Sequence, residues 1–120
     1  MIFKSQFEAL LEKLEHSLAC MLMGFDGISV VAVAKEDVEL DLDLMGAEIS
    51  AFVNQLRKAS FVSQFGTTKE FTFSSDKSTI MLKVLTDDYF VVLVVKPEAH
   101  LGKGRFLLRL MEDELIKELS

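Results

Sequence analysis

Tryptophan is absent from these 120 residues, and cysteine, proline and tyrosine each occur once. A lone cysteine excludes an internal disulfide. Cys20 sits in an apolar run, so it reads as a buried, inert thiol in a reducing, cytoplasmic setting and not as a nucleophile, which would need a neighbouring base. The scarcity of proline, with 27% charged residues and no biased segment, excludes a disordered chain. Histidine is nearly missing too: His16 and His100 lie beside loops with no H-x-x-x-H or C-x-x-C spacing, so no metal site is expected. Basic residues are outnumbered, 13 to 19, and the net charge of −6 repels phosphate backbones and anionic headgroups, which excludes nucleic acid as a partner. No apolar run approaches the roughly twenty residues of a membrane helix. The mixed charged and apolar start does not resemble a signal sequence. A phosphate loop of the form G-x-x-x-x-G-K-[ST] is lacking, so Gly102 and Gly104 are assigned to the turn into the last helix. No cofactor is expected.

What is present is apolar: half of the residues, enough for one well-filled core over residues 1–120. Ser5 and Glu8 have capping-box spacing, and Phe7, Leu10, Leu11 and Leu14 fall on one helical face. Leu18 to Met23 and Ile28 to Ala34, separated by Gly24, Asp26 and Gly27, predict a hairpin. Leu42, Met45, Ile49, Phe52, Val53 and Leu56 predict a long helix reaching about Ser63 and closed by Gly66. Lys69 to Ser74, Thr79 to Leu85 and Tyr89 to Val95 read as a meander of strands. Leu108, Met111, Leu115 and Leu119 mark a last helix over 101–119. The order is αββαβββα, an α/β (α+β) domain built as a three-layer sandwich with one helix on one face and two on the other. Which helix takes which face stays open.

Segments apolar on both faces belong inside a sheet, so Tyr89 to Val95 and Leu18 to Met23 should be central. Lys69 to Ser74 points Phe71 and Phe73 one way and Glu70, Thr72 and Ser74 the other, the pattern of an edge that needs protection. The long helix carries Gly46, Ala47, Ser50, Ala51 and Asn54 on a flank where a solvated helix would carry long charges, which lets another helix approach closely. The acidic stretch Glu36, Asp37, Glu39, Asp41 and Asp43 lacks the glycine and terminal glutamate of a calcium loop and leads favourably into a helix N-terminus. Met21, Met23, Met45, Met81 and Met111 are assigned to packing. Phe61 and Phe65 cover either the base of the sheet or a partner.

The element order, the Phe25-Asp26-Gly27 turn and the Leu101-Gly102-x-x-Arg105 entry to the last helix resemble the Roadblock/dynein light chain family, and within it the MglB-like bacterial and archaeal members. The resemblance implies a profilin-like five-stranded antiparallel sheet in the order 2-1-5-4-3. It also implies dimerisation through the middle helix and third strand, which makes Gly46, Ala47, Ser50, Ala51, Asn54, Phe71 and Phe73 the expected interface. It further implies a small Ras-like GTPase as partner, met at Asn54, Arg57, Lys58 and Phe61. The reading is therefore a non-enzymatic dimeric scaffold for such a GTPase, with a heterodimer with a paralogous chain left open. A small-molecule sensor and a purely architectural subunit are the alternatives. A chamber of several hundred Å³ above the sheet would mark the sensor.

Overall fold

The structure, a computed structural model, describes residues 2–59 and 64–120. Helix α1 (Ile2–Lys13) turns Phe7, Leu10 and Leu11 inward, with Leu14 buried just beyond its end. It begins ahead of Ser5, which is therefore an interior helical residue and not the cap its spacing with Glu8 suggested. The helix is closed from the next element: the Ser17 hydroxyl donates to the carbonyls of Leu11 and Leu14 at 2.9 and 2.6 Å, satisfying acceptors that a helix end leaves orphaned. Between them His16 adopts φ 69°, the left-handed turn that swings the chain into the sheet.

Strands β1 (Ser17–Gly24) and β2 (Ser29–Ala34) form the first hairpin. Its turn is set by Asp26, whose carboxylate accepts from the Ile28 N–H at 2.9 Å, and by Gly27 at φ 89°. Helix α2 (Leu42–Lys58) starts at Asp41, whose side chain accepts from the Leu44 N–H at 3.1 Å. It is shorter than the expected run to Ser63: Ala59 has left helical geometry, at φ −65° and ψ 140°, so Gly66 is not its terminator. Residues 60–63, and Phe61 with them, lie outside the described residues. The meander β3 (Glu70–Ser74), β4 (Thr79–Val84) and β5 (Tyr89–Val95) follows, and α3 (Leu101–Leu119) closes the fold. The His100 imidazole caps α3, accepting from the Lys103 N–H at 3.0 Å.

All pairings are antiparallel, and the sheet order is β2-β1-β5-β4-β3. Every residue of β5 after Tyr89 is buried, which suits the central strand. α1 and α3 share one face, where Phe7, Leu14, Leu108 and Leu115 close over Cys20, Leu22, Val91 and Leu93. Gly104 permits that approach, because a Cβ there would stand 3.3 to 3.5 Å from Met81, Leu93 and Leu14. Among the described helices, α2 covers the other face, seating Val53 on Met21, Met23, Leu82, Phe90 and Val92. The side assignment that periodicity left open is thus settled by which face each helix buries.

Among the described residues, buried apolar clusters pack on both faces of the sheet. The larger clefts lined by described residues, about 450 and 360 Å³, are open hollows at the margins, one beside Thr67, Lys83 and Asp87 and one beside His16, Lys35 and Lys96. Neither lies between the sheet and α2. Helix α3 also reaches over the outer strand β3: Arg105 donates to the Thr72 hydroxyl at 3.3 Å with its Nε 4.0 Å from Glu70, and Lys83 meets Glu112 at 3.6 Å.

Candidate interaction surface

The small residues of α2 have two different uses. Gly46 is buried against Met23, where a Cβ would come within 2.8 Å of the Met23 methyl. Ser50 is buried as well, donating to the Gly46 carbonyl at 2.9 Å and lying 3.5 Å from the Gly24 carbonyl. Asn54, half-buried, donates through Nδ2 to the Phe25 carbonyl at 2.7 Å. These three let α2 settle onto its own sheet and the first hairpin turn, so their surface is already occupied within the chain. Ala47 and Ala51 point outward.

The outward face they share also carries Leu44, which is 56% exposed, and Phe52, which is 44% exposed. Phe52 belongs to the core stripe by its spacing, yet its ring leaves the core and meets Phe73 edge-on at 5.2 Å, and Phe73 in turn stacks on Phe71 at 6.1 Å. A strip of apolar surface therefore runs from α2 across Phe52 to the unpaired side of β3. The spacing of Leu44, Ala47 and Ala51 by three and four residues is the signal that exposes this second stripe in the sequence.

At the C-terminal end of α2, Arg57 lies over the Phe25 ring, 3.9 Å from its centroid, and reaches the Asp87 carbonyl at 3.4 Å. Phe25 itself packs on Phe90 at 4.8 Å. Asn54 and Arg57, one turn apart on α2, thus both hold the β1–β2 turn at Phe25, and Arg57 touches the β4–β5 turn too. Phe25 has no signal in the sequence beyond its place before Asp26-Gly27. Lys58 is exposed next to this clamp, and Phe65 is 84% exposed. Cys20 lies fully buried in β1, and burial pushes its thiol pKa up, against the formation of a reactive thiolate. Among the described residues, no three of His, Cys, Asp and Glu gather as they would around a metal ion. Nor is any of their helices long and apolar enough to cross a membrane.

The chain is 35% identical to MglC from Myxococcus xanthus, whose solved structure overlays it with a TM-score of 0.71 over 98% of this chain and 99% of that one. The chain belongs to the Roadblock family. Two further solved structures share the fold at identities too low to carry more than the fold. MglB from the same organism overlays at a TM-score of 0.86 with 12% identity, over 99% of this chain and 95% of that one. A Roadblock/LC7 domain from Streptomyces avermitilis overlays at 0.83 with 14% identity, over 96% and 95% of the two chains. No family model matches the sequence, and no curated protein does. The Roadblock assignment thus rests on the overlay of whole chains and on the MglC identity, in keeping with a likeness carried by element order and not by a local motif.

Proposed function

We propose that this Roadblock chain, residues 1–120 acting as one domain, is a non-enzymatic module that dimerises and binds a small Ras-like GTPase in the cytoplasm, modulating its nucleotide state or localisation. The observation that carries the reading is the apolar strip from Leu44, Ala47 and Ala51 through Phe52 to the open edge of β3. Antiparallel pairing of two β3 strands about Thr72 sets Phe71 of one copy opposite Phe73 of the other, and it lets two α2 helices meet over the join. Gly46, Ser50 and Asn54 then serve the interface indirectly, by seating α2 low on its own sheet. A heterodimer with a paralogous chain uses the same surface.

The GTPase partner follows from membership of the family together with the exposed end of α2 around Arg57 and Lys58. Arg57 is held on Phe25 and so favours a structural role over donation into a nucleotide site. A regulator of this kind acts by positioning the GTPase's own switch segments, which needs no donated arginine. The test is binding to a small GTPase encoded nearby, loaded with GTP or GDP analogues, with hydrolysis followed alongside. A complex that depends on nucleotide supports the reading. No complex, or a stable one indifferent to nucleotide, refutes it, and the latter marks an architectural subunit.

A further inference from the structure

β3 is not the sheet's sole edge. β2 forms the opposite one, with the sequence Ser-Val-Val-Ala-Val-Ala, which has no charge and no proline. The Lys35 N–H donates to the Leu18 carbonyl at 3.0 Å, so in the alternating ladder of an antiparallel pair Lys35, Val33 and Val31 face β1. The N–H and C=O of Ala32 and Ala34 therefore point away from the sheet, and no described residue bonds to them. Natural edges are normally guarded by charge, proline or a bulge. β3 has Glu70 with Arg105 beside it. β2 has only a bulge at Val30, where Leu22 pairs with Val31 and Met23 with Ser29. Around the bare stretch Ile28 is 67% exposed, Val30 is 37% exposed, and Ala32 is exposed.

We infer that the β2 edge docks an extended apolar segment of another protein, flanked by basic residues, as a sixth strand of the sheet. Outward pairs of N–H and C=O, repeated every second residue, are complemented by an extended backbone and by little else. The exposed Ile28, Val30 and Ala32 set the apolar character of the segment. Its charge follows from the ends of the edge: exposed Asp26 at one end and exposed Glu36, Asp37 and Glu39 at the other outnumber Lys35. The same charges oppose a second copy, since antiparallel pairing of two β2 strands brings Asp26 of one chain toward the acids after Ala34 of the other, on chains that each carry −6. This surface is separate from the α2 and β3 surface, and the two stand or fall independently.

The test uses the intact chain and a short labelled peptide with alternating valine and threonine at its centre and two lysines at each end. Fluorescence anisotropy should show saturable binding that weakens about tenfold when the terminal lysines become glutamates, and that disappears when alternate peptide amides are N-methylated. Amide exchange should slow at Ala32 and Ala34. Ala32→Pro removes an N–H the sheet does not use, so the chain should keep its fold and lose about tenfold in affinity. Ala32→Lys at the same exposed site is the second variant, expected to weaken the lysine-ended peptide to a similar degree. Absence of binding overturns the inference, as does equal binding of the glutamate-ended peptide or indifference to both substitutions. Self-association of the chain that Ala32→Pro abolishes overturns it too, by giving the edge to a second copy.

Discussion

Arg57 separates two accounts of the end of α2, and a double-mutant cycle with Phe25 decides between them. The guanidinium lies 3.9 Å from the Phe25 ring centroid, in partial contact with solvent, an arrangement that contributes about 0.5–1 kcal/mol. Its approach to the Asp87 carbonyl is long, 3.4 Å, and exposed, so it adds little. Arg57→Ala should therefore cost about 0.5–1 kcal/mol, and Arg57→Lys should recover only part of it, because an ammonium lacks the flat stacking surface. Phe25→Leu costs stability by itself through loss of the ring contact with Phe90. The double mutant should fall short of the sum of the single costs by about 0.5–1 kcal/mol, the coupling of the pair. Asn54→Ala strips the donor from the half-buried Phe25 carbonyl and should cost about 1–2 kcal/mol. Urea unfolding at constant slope reads these values as shifts in midpoint. Additive costs refute the clamp. So does an Arg57→Ala chain that unfolds like the wild type yet has lost all stimulation of GTP hydrolysis, which is the behaviour of a donated arginine.

Ala51→Arg, on the exposed face of α2, should change the stability of the isolated chain by no more than about 0.5 kcal/mol while halving its mass in light scattering; an unchanged mass refutes the α2 interface. Val53→Ala, two positions away and fully buried, should cost about 2 kcal/mol, from two lost carbons and the space they leave, read as a lower urea midpoint. Cys20 should resist alkylation in the folded chain and react at once on unfolding; rapid labelling under native conditions refutes its burial in β1. Because the folded thiol pKa is raised, the unfolded chain loses this proton first as pH rises. The contribution to stability is thus full below about pH 8.5, the unfolded thiol value, and declines as pH increases above it, which unfolding midpoints across that range should show.

Much of the site was legible, and what was not shares one cause. Spacing identifies a face but not its neighbour. Gly46, Ser50 and Asn54 stand out as small on a helix, and the sequence cannot say whether that smallness admits a second helix or the helix's own sheet. In the folded chain they meet Met23, Gly24 and Phe25. Phe52 follows the core spacing, yet it sits where the stripe turns out of the interior and so reaches Phe73. Asp41, from the acidic stretch read as leading into a helix, caps α2, and His100, read as lying beside a loop, caps α3, whereas Ser5 was misread because α1 begins three residues earlier.

The sequence by itself determined the periodicities, and through them the αββαβββα order, the central places of β1 and β5, the edge character of β3 and the absence of any motif for nucleotide or metal chemistry. These are local properties, carried by residues within one or two turns of each other. The tertiary structure alone decided that α2 faces α1 and α3 across the sheet, and that two of the small residues on α2 are interior. It alone held Arg57 against Phe25, and it left the backbone groups of Ala32 and Ala34 on β2 without a described partner. Each of these joins residues far apart in the chain, so it depends on how the elements pack and not on how any of them is written.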